Sequence, residues 1–188
     1  MKTTIEKPAA AMEQATGQIT THLLQPYREF PNNIWPLIVY HNGVAVSGDD
    51  PAARFETTFQ KHQWTDCWRN GIYNYHHFHS TSHEVLGIYA GSAKVQFGGP
   101  EGVVLEVAAG DVIVIPAGVA HKNLGSTKDF GVVGAYPYGS EPDMNYAKPD
   151  EHPKVDQQIR QVPLPSSDPL YGPNGPLFRL WTKPVTRI

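Results

Sequence analysis

Between Gly71 and Pro137 the chain breaks into short apolar or alternating runs: Val85 to Ala90, Ala93 to Phe97, Val103 to Val107, Asp111 to Ile115 and Phe130 to Tyr136. The interruptions between them are Gly91-Ser92, Gly98 to Gly102, Ala109-Gly110, Pro116-Ala-Gly118 and Gly125 to Asp129. Runs of five to seven residues separated this way are too short for helices and predict an antiparallel sandwich or barrel. Val112-Ile-Val-Ile115 is apolar at every position, so that strand is expected to be covered on both faces. Whatever lies outside 71–136 must therefore pack around an all-β centre.

At 188 residues, 40% hydrophobic and 18% charged, the chain fits one domain over 1–188 with a sizeable core. A net charge of -3 provides no basic field for nucleic acid or an anionic membrane, which leaves a small molecule as the expected partner. Cys67 is the only cysteine, excluding an intrachain disulfide and an all-thiolate metal site. The first eight residues lack the apolar run of a signal peptide, and no later segment reaches membrane-span length, so the default expectation is a cytoplasmic protein.

Residues 1–17 are polar and Ala-rich, and disorder or a frayed helix is expected there. Ile19 to Leu24 and Trp35 to Tyr40 read as strands, the second closed by His41-Asn42-Gly43. Asp50-Pro51 supplies an N-cap and a first helical residue, and Phe55 with Phe59 gives a packing stripe for a helix running to about His62. Ten of the seventeen prolines fall in 137–188, interspersed with Leu164, Leu170, Tyr171, Leu177, Phe178, Leu180 and Trp181. Disordered tails are poor in such residues, so an ordered strap with short helical turns is expected, lying on the barrel or on a partner subunit.

The chemistry concentrates in Gly71 to Gly91, which holds four of the nine histidines and Glu84. In an extended segment His77 and His79 face one way while His76 and Phe78 face the other. The Ser/Thr-rich link before Glu84 can reverse the chain and bring a carboxylate beside the two imidazoles, the beginnings of a metal site. His22, His41, His62 and His152 have no such company and read as ordinary hydrogen-bonded residues. By the same alternation Tyr73 and Tyr75 share the face of His77; Tyr75 is the candidate proton-handling phenol and Tyr73 is assigned to the core. Leu86 and Ile88 share the face of Glu84 and supply an apolar lining. Arg69 and Lys94 are candidate counter-ions for an acidic substrate, although nothing in the pattern orients them.

Gly71, His77, His79, Glu84 and Gly91 fit the spacing G-x5-H-x-H-x(3,4)-E-x6-G, and Gly110, Pro116, Gly118 and His121 fit G-x5-P-x-G-x2-H-x3-N. In these two motifs the chain resembles the cupin superfamily. The terminal Asn of the second motif is displaced: Asn123 stands two residues after the histidine, and position 125 is glycine. Trp68-Arg-Asn-Gly71, Asp168-Pro-Leu-Tyr-Gly172 and Gly175-Pro-Leu177 look most like small single-domain bacterial cupins of the YjlB type. The resemblance implies a cupin jelly-roll β-barrel with one or two peripheral helices, its motif-bearing core over 71–136. It implies His77, His79, Glu84 and His121 as ligands of one divalent transition metal ion per chain. Asn123 and His83 are held as residues that steady those ligands. A sulfur-free set of three imidazoles and a carboxylate suits Fe, Mn, Ni, Co or Zn, and four protein ligands leave room for a substrate.

The resulting expectation is a metal-dependent oxidoreductase, dioxygenase-like, acting on a small organic molecule. A metal-assisted isomerase or lyase, and a non-catalytic metal and small-ligand binding module, stand as alternatives. A homodimer is expected, with the apolar strap as its contact.

Overall fold

The computed structural model describes residues 17–181. Nine strands are formed among them: β1 (Ile19–His22), β2 (Leu37–Tyr40), β3 (Trp64–Asn70), β4 (Glu84–Ala90), β5 (Ser92–Phe97), β6 (Val103–Ala108), β7 (Val112–Ile115), β8 (His121–Ser126) and β9 (Gly131–Pro137). Three α-helices accompany them: α1 (Pro51–Lys61), α2 (Lys154–Gln161) and α3 (Pro176–Leu180). The strands build a six-stranded sheet ordered β1-β2-β7-β4-β9-β3 and a three-stranded sheet ordered β6-β5-β8, antiparallel throughout. This is the expected all-β jelly roll.

Apolar alternation makes the six-stranded sheet a two-faced wall. Leu37, Val39, Leu86, Ile88, Ile113, Ile115 and Val132 point inward and meet Ala93, Val95, Phe97 and Val107 of the smaller sheet. Ile38, Tyr40, Val85, Val112, Val114, Val133 and Ala135 point outward. All four residues of Val112-Ile-Val-Ile115 are buried, as the unbroken apolar run requires.

Two elements cover the outer face. The first is α1, whose N-cap Asp50 accepts a hydrogen bond from the Ala53 N–H at 3.3 Å and whose Phe55 and Phe59 are fully buried. Phe55 lies so close to Gly87 of β4 that a Cβ there would stand 2.2 Å from its ring, so a side chain at 87 would push the helix off the sheet. The second is the Pro-rich strap, which lies on its own barrel. Leu177 and Trp181 are fully buried in the outer cluster, Trp181 stacks on Trp35 at 5.3 Å, and its indole N–H donates to the Pro36 carbonyl at 2.9 Å. Burial of such side chains is worth about 2 kcal/mol or more each, enough to hold a segment with little regular structure. The disorder or frayed helix expected over 1–17 falls, apart from Gly17, outside the described residues.

Trp64–Asn70 is a strand although it showed no clean alternation: it is an edge strand paired only with β9, and a bulge between Thr65 and Trp68, with Asp66 at φ 52°, breaks its period. The short helical turns expected in the strap are α2 and α3, formed from segments too short and too proline-flanked to show a 3.6-residue period.

Candidate metal centre

The histidine segment is not part of a long ladder. His77 exchanges backbone hydrogen bonds with His121 of β8, and Phe78 does so with Asn145 of the strap. These two rungs fix the alternation. His77 and His79 turn into the barrel, Phe78 packs with Ala120 and Val155 on the other side, and His76 goes outward against Phe30 at 5.4 Å. His121 enters from β8, behind the turn Pro116-Ala-Gly118, where Gly118 adopts φ 86° and donates its N–H to the His79 carbonyl at 2.8 Å.

The ligand-capable nitrogens of His77, His79 and His121 lie within 4.8 Å of one another, and all three residues are buried. Glu84 starts β4 on the opposite sheet and places Oε2 3.4 Å from His121 Nε2 and 3.6 Å from His79 Nε2. That oxygen is buried and, among the described residues, has no partner within hydrogen-bond distance, whereas Oε1 accepts from the Tyr136 hydroxyl at 3.1 Å. Tyr136 in turn accepts from the Trp68 indole N–H at 3.0 Å. The outer nitrogens of two imidazoles face backbone carbonyls: His77 Nδ1 is 3.3 Å from Tyr75 O, and His79 Nδ1 is hydrogen-bonded to Asp143 O. Since a carbonyl only accepts, each Nδ1 carries the proton and each Nε2 turns a lone pair inward.

The electrostatics place an anion among imidazoles of which two, His77 and His121, are held neutral. Burial, then His77, presses the His121 pKa down to about 3. Burial pushes Glu84 up, but the combined pull of His79, His121 and His77 prevails and holds it near 2. His77 is likewise lowered, mainly by burial, while for His79 the charge and hydrogen bond of Glu84 outweigh burial and raise it. A buried carboxylate oxygen converging with imidazole nitrogens is a hard and borderline donor set, and the chemistry of these residues fits a divalent transition metal ion.

The cluster opens onto a cavity of about 300 Å³, whose wall includes Trp68, Arg69, Tyr73, Leu86, Tyr136 and Met144. Several expectations change here. Tyr75 is not on this wall; it is 40% exposed and stacks on Tyr73 at 4.9 Å, because the irregular 71–76 segment does not keep strand alternation. Tyr73, assigned to the core, is 47% exposed and lines the cavity. The phenol that reaches the cluster is Tyr136. Alternation on β9 puts it on the face of Val132, but which face looks inward emerges only from the pairing of Leu86 with Gly134, which sets Tyr136 beside Glu84.

Asn123 does not reach the ligands either. Its Oδ1 accepts from the Gly125 N–H at 2.8 Å and its Nδ2 donates to Ser126, so it closes the end of β8, where a bulge interrupts pairing with β5. Of the proposed counter-ions, Lys94 is exposed and pairs with Glu106 at 3.5 Å, while Arg69, opposite the outward-facing Val133, turns its guanidinium to Glu56 and Asp50 of α1 and its N-cap.

The residue the motif spacing missed is Asp143. Its carboxylate accepts from the Ser80 N–H at 2.6 Å, from Ser80 Oγ and from Asn145 Nδ2 at 2.9 Å, while its carbonyl holds His79. The strap thereby steers a ligand, a long-range contact with no spacing signal.

His83 lies on the outer face of the sheet, fully buried between Trp35 at 5.5 Å and Trp181 at 4.8 Å, and does not touch the cluster. Its Nδ1 accepts from the Ala117 N–H at 2.9 Å, bracing the turn that carries His121. Burial lowers its pKa to about 4, partly offset by the Pro163 backbone. A histidine depressed from 6.5 to about 4 leaves the unfolded chain binding more protons between those values. Its contribution to stability is therefore complete above pH 6.5 and disappears as pH falls toward 4. Thermal melts of the metal-free protein should show Tm dropping across this window, and His83→Gln, which keeps an acceptor for Ala117, should make the drop shallower. An unchanged slope in that variant would refute the assignment.

Among the described residues no helix is long and apolar enough to cross a membrane. Residues 63–136 match the cupin family. The chain is 43% identical over 149 residues to the uncharacterized protein YjlB of Bacillus subtilis (strain 168), covering 79% of this chain and 87% of YjlB. Among solved structures it is similar to the epimerase RmlC of Legionella pneumophila Philadelphia 1, with 14% identity, TM-score 0.38, and 78% of this chain and 85% of that one covered. It is also similar to acireductone dioxygenase from Bacillus anthracis, with 17% identity, TM-score 0.34, and 49% and 63% covered. The extent of the match to YjlB, together with the cupin match over the segment that carries the histidine cluster, makes this chain a member of the cupin family, of the YjlB type.

Proposed function

We propose that this cupin is a metal-dependent oxidoreductase, dioxygenase-like, acting on a small organic molecule held in the cavity beside His77, His79, Glu84 and His121. One observation carries the reading: the buried Glu84 Oε2, without a hydrogen-bond partner among the described residues, converges with inward imidazole nitrogens at the wall of a cavity large enough for a substrate. The four side chains would hold one divalent ion, which when bound supplies redox or Lewis-acid chemistry to a molecule in the cavity. Leu86, Trp68 and Met144 exclude water and orient the molecule. Tyr136 keeps its proton between its own oxygen and Glu84 Oε1, since burial and the neighbouring carboxylate raise its pKa, and this positions it to return a proton to a bound molecule.

Protein reconstituted with Fe(II) should consume dioxygen in step with loss of one compound from a panel of small metabolites, read with an oxygen electrode and mass spectrometry. Turnover that proceeds equally without oxygen would replace this reading with a metal-assisted isomerase or lyase, for which the Tyr136 phenol already provides an acid. No turnover with Fe, Mn, Ni, Co or Zn would favour a non-catalytic binding module.

A further inference from the structure

We propose that the bulge in β3 serves the metal centre: it turns Trp68 into the barrel, where the indole N–H fixes the Tyr136 hydroxyl on Glu84 Oε1, so that Glu84 meets an ion through Oε2 alone. The inference rests on the metal-binding reading above and adds two positioning residues to it. Along an unbroken strand Trp64 and Trp68, four residues apart in the chain, would share a face. They do not. Trp64 is buried in the outer cluster with Phe55 and Phe59, whereas Trp68 packs against the inner one. The cause is one extra residue: Thr65 lies opposite Tyr136 and Trp68 opposite Gly134, three steps along β3 against two along β9, with Asp66 at φ 52° in the gap.

Gly134 leaves the indole room to lie across β9, since a Cβ there would stand 2.1 Å from Cζ2 and 2.7 Å from Nε1. From that seat the N–H reaches diagonally to the next residue on the same face of β9, Tyr136, at 3.0 Å. A phenol oxygen has a single proton to give. With the indole N–H taking up one side of the oxygen, that proton goes to Glu84 Oε1 at 3.1 Å. Oε2 is then the carboxylate oxygen that converges with His79 and His121. A carboxylate held in this way fills one coordination position, so an ion of octahedral preference keeps positions open for a substrate beside three imidazoles. Without the phenol hydroxyl, Oε1 would be buried with no donor and would turn to the ion as a second ligand atom.

The test loads wild type, Tyr136→Phe, Trp68→Phe and the double variant with Co(II), whose visible absorption reports the number and kind of its donors. Each is titrated with acetohydroxamate, a probe that chelates and so needs more than one open position. Elemental analysis should find Co(II) bound in all of them. Tyr136→Phe should change the absorption spectrum and weaken acetohydroxamate by about tenfold or more. Trp68→Phe should move both readouts in the same direction by less, and should add nothing in the Tyr136→Phe background, because it acts through the phenol. Gly134→Ala, which displaces the indole and leaves its N–H intact, should copy Trp68→Phe and takes its place if that variant does not fold. An effect of Trp68→Phe that is the same with and without the Tyr136 hydroxyl would be packing alone and would overturn the inference. Protein that takes up no Co(II) defeats the metal reading and this inference with it, whereas Co(II) bound with unaltered spectrum and probe affinity in Tyr136→Phe defeats this inference only.

Discussion

Substituting His121→Ala or His77→Ala should remove most of the bound metal, with affinity falling by at least about 100-fold, read by elemental analysis of protein purified without added metal and by titration with Zn(II). The two residues come from different elements, β8 and the segment facing it, and are tied by one pair of backbone hydrogen bonds. Either deletion leaves three donors around a site shaped for four. Glu84→Gln separates loss of the ion from loss of the fold. Its amide oxygen can still accept from Tyr136, while its amide nitrogen takes the place of the orphaned Oε2 and cannot ligate. In the metal-free protein the ionised Glu84 is held by the pull of His79, His121 and His77, and the neutral amide of the variant gives up that pull while its N–H can still donate toward an imidazole nitrogen. Glu84→Gln should therefore lose the metal and melt cooperatively, metal-free, somewhat below metal-free wild type. Full metal stoichiometry in both histidine variants would refute the ligand assignment.

The difference between what sequence could and could not reveal follows the range of the interactions. His77, His79 and Glu84 were legible because alternation along an extended segment and a turn are local, and His121 because a second motif shares its register. The strands 84–90, 92–97, 103–108, 112–115 and 131–137 were legible within a residue or two because each buries a face and is closed by a glycine turn. Tyr136 and Asp143 were not: one depends on which β9 residue pairs with which β4 residue, the other on where a proline-rich strap crosses the barrel mouth. Tyr75 failed for the complementary reason, that alternation was extended into 71–76, where the chain forms no ladder. His83 shows the limit of reading histidines by proximity. One residue from a ligand in sequence, it lies on the far side of a sheet.

The strap suggests the largest stability effect. Asp168 is completely buried yet fully paired: Oδ2 accepts from the Tyr40 hydroxyl at 2.6 Å and the Leu177 N–H at 3.1 Å, and Oδ1 from the N–H groups of Leu170 and Tyr171 at 2.9 and 3.1 Å. One carboxylate thus ties the end of β2 to the start of α3 and closes the turn between them. Gly175 packs directly on it, since a Cβ there would stand 2.2 Å from the Asp168 Cβ. Asp168→Ala strands a buried hydroxyl and three backbone donors, and should cost about 3–5 kcal/mol. For a chain of this length that is a Tm drop of roughly 6–20 °C. Asp168→Asn discriminates between shape and charge. Its oxygen can serve Leu170 and Tyr171, but its NH2 would face the Leu177 N–H, donor against donor, and only the Tyr40 hydroxyl can turn to accept. Asn should therefore fall between wild type and Ala. Because α3 carries Leu177 and precedes Trp181, which packs on Trp35 and His83, the damage should reach the turn that bears His121. Metal affinity should weaken in Asp168→Ala although the substitution touches no ligand, and a variant that melts early while binding metal at full strength would show that strap and centre are energetically independent.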